Sequence, residues 1–211
     1  PDCARLVGGC VRNALLGEPV ADVDIATQLT PDLVEKACRN AGMAVHPTGI
    51  EHGTLTVVSD SVPYEVTTLR RDVETDGRRA TVSFTLDWAE DAQRRDFRMN
   101  ALYADRDGEI YDPVGGGLDD VAQRRIVFVG DAETRIREDY LRILRFFRFQ
   151  AWYGSAAPDP EGLAACGKLR SGLAGISVER IWMEMKKLLG APQPLAALEA
   201  MDHVGVLGVV V

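Results

Sequence analysis

Long apolar runs are missing from this chain. Among its 211 residues the longest hydrophobic stretches are short pieces such as 204–211, well below the roughly 18 residues a membrane-spanning helix needs. No charged, apolar and small-residue signal segment is legible at its start, so a soluble protein with no membrane partner is expected, with the cytoplasm as its compartment. Cysteine is scarce: Cys3, Cys10, Cys38 and Cys166 form no C-x-x-C pair, and His46, His52 and His203 lie far apart. That excludes a zinc ribbon and a disulfide framework and leaves reduced thiols. Positive charge is the minority sign, 24 Lys and Arg against 32 Asp and Glu for a net charge of -8. The chain cannot coat nucleic acid by bulk electrostatics, so any such contact must come from a local patch. An initiating Met is also lacking, and the last residues are an apolar run, as expected of a piece of a longer protein.

With 46% hydrophobic residues the chain can bury a real core in one large or two small domains. Up to about residue 112 short apolar runs and turn signals alternate with a few helices, an α+β pattern; from Asp131 onward the periodicity is mostly helical. Ala4 to Val7, Gly8-Gly9 and Val11 to Leu16 read as strand, glycine turn and helix, stopped by Gly17. Val20 to Ala26 alternates with period two and reads as a half-buried strand. Thr30-Pro31 opens a helix that Gly42 closes, and Thr54 to Val58 with Val62 to Leu69 form a hairpin across Ser59-Asp60-Ser61. The charged segment from Arg70 to Arg79 has no periodicity and is expected to be a mobile loop. A helix around Trp88 to Arg94, a hairpin turning at Asp107-Gly108, one helix from Thr134 to Tyr153 and another from Ser177 to Leu189 follow.

Asp22-Val23-Asp24 is the sharpest local feature. Alternation on a strand sets both carboxylates on one face, about 7 Å apart at Cα, where they suit divalent cations in phosphoryl or nucleotidyl transfer. Hard oxygen donors favour Mg²⁺, and Glu65 on a nearby strand offers a third acid. The competing reading is the wet face of an edge strand. Gly8-Gly9 ahead of a helix offers backbone N–H groups to a triphosphate, with Arg12 one turn in; a tight strand-to-helix turn is the bland alternative. Arg94-Arg95-Asp96 and Asn100 gather groups able to hold phosphate or ribose. Arg135, Arg137, Arg142, Arg145 and Arg148 make a basic stripe on an acidic chain, or else a salt-bridge ladder with Glu133, Glu138 and Asp139. Cytosine and adenine share an amino donor beside a ring-nitrogen acceptor, so Asp139 as acceptor and Arg142 as donor would accept CTP and ATP and reject GTP and UTP.

Leu6-Val-Gly-Gly-Cys-Val-Arg-Asn-Ala-Leu-Leu-Gly, Asp22-Val-Asp-Ile-Ala-Thr, Tyr64-Glu-Val-Thr-Thr-Leu-Arg, Arg94-Arg-Asp-Phe-Arg-Met-Asn-Ala-Leu, Asp112-Pro-Val-Gly-Gly and Glu138-Asp-Tyr-Leu-Arg-Ile-Leu-Arg-Phe-Phe-Arg-Phe follow one another in this order. The ordered set resembles the bacterial class II CCA-adding tRNA nucleotidyltransferase and poly(A) polymerase family. The resemblance implies a polymerase-β-type nucleotidyltransferase head with a mixed β-sheet over 1–125, then a helical neck over 126–211 that is truncated before the family's body and tail. It implies template-independent addition of CMP and AMP from CTP and ATP to the 3′ end of tRNA. A poly(A) polymerase, or an enzyme adding only CC or only A, shares these motifs, and a non-catalytic RNA-binding module is the reading from another class. Asp22 and Asp24 are implied as Mg²⁺ ligands with Glu65 as third carboxylate. Gly9, Arg12 and Arg95 fall to phosphates and ribose, with Gly8, Asp96 and Asn100 beside them, and Asp139, Arg142, Arg145 and Arg148 fall to the base and its surroundings. Two departures stand out: Asn13 where the family has Asp, and Arg98 where it has Thr, the latter expected to add a charge beside the ribose site.

Overall fold

Period-two alternation in the first half of the chain builds one mixed sheet. The computed structural model describes residues 3–75, 80–155 and 157–210, with β1 (Ala4–Val7), α1 (Gly9–Leu16), β2 (Asp24–Thr27), α2 (Pro31–Asn40), β3 (Ala44–Gly49), β4 (Thr54–Ser59), β5 (Val62–Thr68), β6 (Arg70–Thr75), β7 (Ala80–Phe84), α3 (Trp88–Gln93), β8 (Tyr103–Ala104) and β9 (Ile110–Tyr111). The helices α4 (Gly117–Gln123), α5 (Ala132–Glu138), α6 (Leu141–Tyr153), α7 (Pro160–Leu169), α8 (Val178–Leu189), α9 (Pro194–His203) and α10 (Leu207–Val210) follow. Residues up to 74, 80–95 and 99–118 form a sheet unit, and residues 96–98 and those from 119 onward a helical unit.

In the sheet unit seven strands lie in the order β3-β4-β5-β2-β1-β8-β9. The β2–β5 pair is parallel and the other pairs are antiparallel. Behind one face α2 packs through Val34 on Val45, Leu55, Val57 and Val66, with Ile25 and Leu29 against the same cluster. Alternation then obliges Thr54, Thr56 and Glu65 to the opposite face. The β4–β5 hairpin turns on Asp60 and Ser61, both at positive φ, 50° and 67°, as a two-residue primed turn requires.

The expected strand over Val20 to Ala26 begins only at Asp24, where its pairing with Glu65 starts, and its ladders run to Ala4–Leu6 and Glu65–Thr68. Residues ahead of Asp24, Asp22 among them, are irregular. The expected loop over Arg70 to Arg79 is also corrected. Arg70–Thr75 is a strand, paired with β7 in a separate two-stranded sheet, while 76–79 lie outside the described residues. Ladder hydrogen bonds hold such a ribbon without the apolar alternation whose absence suggested a loop. The strand β3 was not legible in the sequence.

In the helical unit the single helix expected from Thr134 to Tyr153 breaks at Asp139, which is extended at φ -153°, ψ 106°. Asp139 Oδ1 accepts the Leu141 N–H at 3.1 Å and so opens α6. Tyr140 lies at the break with its ring on Gly172, so close that a Cβ at Gly172 would fall 2.0 Å from Tyr140 Cδ1. In the same unit Phe97, Phe128, Phe146 and Phe149 form an aromatic cluster with ring centroids 4.9–6.4 Å apart. Gly172→Ala is therefore expected to displace Tyr140 and to cost about 1–3 kcal/mol in denaturant unfolding, the usual range for overpacking. Unchanged stability would show that the ring yields freely.

Candidate functional site

Parallel pairing of β2 with β5 makes Asp24 the direct register partner of Glu65. Ile25 faces the α2 cluster, so Asp24 points to the open face of the sheet, as Glu65 does. Asp22, in the irregular segment before β2, joins them: Asp22, Val23, Asp24, Thr56, Pro63 and Glu65 line an open cleft of about 370 Å³. Burial raises the pKa of the half-buried Asp24, Arg95 pulls it down and the negative charge of Asp22 pushes it up. Among the described residues no three His, Cys, Asp or Glu side chains stand close enough to hold a metal ion alone. The cleft thus offers carboxylate oxygens, hard donors, at an open edge.

The glycine turn is built as a backbone device. Gly8 caps α1 at φ 73°, ψ -123°, a conformation that glycine alone adopts without strain. Its N–H bonds the Leu102 carbonyl, and its own carbonyl receives the Arg12 N–H. Arg12 is buried and reaches sideways, donating Nη1 to Asn100 Oδ1 at 2.5 Å and Nε and Nη2 to Asn13 Oδ1 at 3.1 and 2.8 Å. Asn13 in turn donates Nδ2 to the Pro19 carbonyl. The residue that departs from the family pattern thus ties α1 to the segment leading into β2. Arg95 stands on the other side of the turn, its Nη1 3.5 Å from where a Cβ on Gly8 would sit.

Sequence reasoning missed Asp91. Buried on α3, it binds Arg94 at 2.8 Å and Arg95 at 3.0 Å and accepts the Tyr103 hydroxyl at 2.7 Å. Burial alone would raise its pKa, but the charges of Arg95 and Arg94 and the Tyr103 hydrogen bond hold it down to about 2. The signal was present, since Asp91, Arg94 and Arg95 are spaced i, i+3 and i+4.

In the helical unit the predicted nucleotide contacts are engaged internally. Asp96 binds Arg145 through Oδ2 and the Phe97 N–H through Oδ1 at 2.9 Å. Arg148 Nε bonds Glu184 Oε2 at 2.6 Å, with its guanidinium 4.5 Å from the Phe149 ring centroid. Arg142 donates to Glu138 at 2.5 Å and to the Arg135 carbonyl at 2.7 Å, and Asp139 accepts from Arg180 at 2.8 Å. Arg137–Glu133 and Arg135–Glu138 continue the salt-bridge ladder that was the competing reading of this stripe. Arg98, expected to add a charge beside a ribose, is engaged by a carboxylate: Nε and Nη2 form a bidentate pair with fully buried Asp120 at 2.6 and 3.0 Å, and Arg125 adds a second ion pair at 2.9 Å.

The family model described as "Poly A polymerase head domain" matches residues 4–127. The chain belongs to this poly(A) polymerase head-domain family. A second model, "Probable RNA and SrmB- binding site of polymerase A", matches residues 157–211. Among relatives of this head-domain protein, the mitochondrial CCA tRNA nucleotidyltransferase 1 of Danio rerio is 47% identical over 88% of the chain and 43% of its own length. The CCA-adding enzyme of Geobacillus stearothermophilus is 44% identical over 96% of the chain and 49% of its own. The chain thus spans about half the length of the curated relatives it matches. The crystal structure of the Bacillus stearothermophilus CCA-adding enzyme in complex with CTP superimposes with a TM-score of 0.86 at 42% identity, over 96% of this chain and 48% of that one. A tRNA nucleotidyltransferase complexed with a primer tRNA and an incoming ATP analog gives 0.80 at 28%, over 99% and 59%. The α+β class with a polymerase-β-type head and a mixed sheet is borne out.

Among the described residues no helix is long and apolar enough to cross a membrane. For the head-domain protein, Arg98→Ala is expected to cost about 2–4 kcal/mol, since it leaves the Asp120 carboxylate buried with only the half-exposed Arg125 as cation. Chemical denaturation checks this. A loss below about 0.5 kcal/mol, the size of an ordinary surface effect, would show that Arg125 suffices.

Proposed function

We propose that this chain carries the nucleotidyltransferase centre of an enzyme that adds CMP and AMP from CTP and ATP to the 3′ end of tRNA, without a nucleic-acid template. One observation carries the reading. Asp24 and Glu65 are register partners on the open face of the sheet and share one cleft with Asp22, while Arg95 lies beside the Gly8 turn and its charge acts on Asp24. The relatives named CCA-adding enzymes, and the solved structures with CTP, an ATP analog and primer tRNA, support the same substrates here.

In this reading Asp22 and Asp24 would hold Mg²⁺ through hard oxygen donors, with Glu65 as the third carboxylate lining the same cleft, although the three do not form a closed ligand set by themselves. The chemistry such an ion would supply, held by these carboxylates, is neutralisation of charge on the phosphoryl oxygens. The Gly8-Gly9 turn presents backbone N–H groups at the start of α1, and Arg95 supplies positive charge beside it. Arg12 and Asn100 brace that turn. In the helical unit Asp139 and Arg142 flank the α5–α6 break and offer an acceptor and a donor to the base edge that cytosine and adenine share. Asp96, Arg145 and Arg148 act by holding α6 in place. Four free cysteines support a reducing compartment such as the cytoplasm.

Asp22→Asn or Asp24→Asn is expected to lower incorporation of labelled CMP into tRNA lacking its 3′ end by on the order of a hundredfold or more, with thermal unfolding unchanged. A well-folded variant that keeps most of its turnover would exclude these carboxylates from the metal site. A product extended by a long run of A would favour polyadenylation instead. The double change Asp139→Ala with Arg142→Ala should weaken discrimination between CTP and UTP by roughly tenfold to a hundredfold, the worth of one or two unmet hydrogen bonds. Equal loss for all four triphosphates together with earlier melting would mean that the two residues serve only the salt-bridge ladder.

A further inference from the structure

Asp91 lies outside every motif used above, yet it is the most heavily engaged carboxylate beside the glycine turn. It is 1% exposed as a side chain and accepts from Arg94 Nε and Nη2 at 2.9 and 2.8 Å. It also accepts from Arg95 Nε and Nη2 at 3.3 and 3.0 Å, from the Tyr103 hydroxyl at 2.7 Å and from the Arg70 backbone N–H at 3.2 Å. One buried carboxylate needs one cation to balance it, and here two guanidinium groups converge on it. The surplus positive charge has a direction. Arg94 Nε is pinned back to the Arg70 carbonyl at 3.1 Å. Arg95 has Nε and Nη2 occupied by Asp91, and Nε also faces the Tyr103 oxygen at 3.3 Å. Among the described residues its Nη1 has no hydrogen-bond partner, and it is this nitrogen that faces Gly8 at the start of α1. The charge of Arg95 is also felt at Asp24.

A free arginine side chain carries rotamer entropy that a ligand must overcome when it orders the group. Gripping one edge of the fork removes that cost before the ligand arrives and leaves the opposite edge as a fixed donor. We propose that Asp91 is a positioning residue that holds Arg95 in the orientation in which Nη1 receives the polyphosphate of the incoming nucleotide. Asp91 works through Arg95 and does not touch the nucleotide. The inference rests on the nucleotidyltransferase reading above and adds to it a residue that sets nucleotide affinity from α3.

The test combines Asp91→Asn, Arg95→Ala and the double variant of the full chain. CTP affinity is measured by calorimetry with Mg²⁺ present, and steady-state KM for CTP and for tRNA lacking its 3′ end is measured in parallel. Asp91→Asn keeps the size of the side chain but frees the guanidinium. It should weaken CTP binding roughly tenfold to a hundredfold, as expected for a hydrogen bond to a charged group, with the KM for tRNA unchanged. Placed on Arg95→Ala, it should add nothing further, because the group it positions is gone. Multiplicative losses in the double variant, an unchanged CTP affinity, or equal rises in both KM values would overturn the proposal. Should Asp91→Asn fail to fold, Tyr103→Phe removes one donor from Asp91 while keeping the buried ring. It is expected to raise the KM for CTP a few-fold in the Arg95 protein only, and an equal effect without Arg95 would count against the proposal. A wild-type chain that binds no CTP would overturn the nucleotidyltransferase reading together with this inference, whereas wild-type binding matched by Asp91→Asn overturns this inference alone.

Discussion

The parallel pairing of β2 with β5 is the constraint on which the cleft depends. Among the described residues it is the one parallel pair in an otherwise antiparallel sheet, and it joins segments about forty positions apart, with α2, β3 and β4 between them in the chain. Once Ile25 and Val66 are committed to the α2 cluster, the period of two leaves Asp24 and Glu65 no choice but the opposite face. Turning either strand over by one residue would bury its carboxylate under α2 and bring Ile25 or Val66 to water. The apolar contacts behind the sheet therefore hold the acids in place on its front.

A second principle sorts the arginines. Arg98, Arg145 and Arg148 each meet a carboxylate that is at least nine-tenths buried, respectively Asp120, Asp96 and Glu184. Leaving either member alone in such a site costs more than the pair returns, so these residues specify the packing of α4, α6 and α8 and are poor candidates for reversible ligand contact. Arg95 also meets a buried carboxylate, Asp91, but its Nη1 lies beside the Gly8 turn and its charge acts on Asp24. The same residue type thus serves two ends. What separates them is where the remaining edge of the fork is placed.

The α5–α6 break shows how local chemistry and packing combine. Arg135, Glu138 and Arg142 keep helical spacing across the break, and their ion pairs form as they would on a continuous helix. Asp139 nevertheless leaves the helix, caps α6 with one oxygen and reaches Arg180 on α8 with the other. Tyr140 fills the space that only a glycine at 172 leaves open. The break offsets one lost helical turn with a side-chain cap, an ion pair to α8 and a buried ring.

The sequence alone determined the elements whose signals are local. Gly17 and Gly42 end α1 and α2 at positive φ, Pro31 opens α2, and Asp60-Ser61 turns the β4–β5 hairpin, each through backbone preferences that a few neighbouring residues decide. The α+β class and the family were legible for the same reason, since ordered motifs are short and local. The start of β2 at Asp24, the strand β6 and the break at Asp139 were settled only in three dimensions, because a strand's extent is set by long-range pairing and a helix breaks where distant side chains reward the break. Asp22, Asp24 and Glu65 could be named from residue type and spacing, but the register that makes Glu65 the partner of Asp24 is a long-range pairing. Which arginine is spent on a buried carboxylate, and which keeps a donor for a ligand, follows from desolvation inside the folded unit, and no stretch of sequence contains that information.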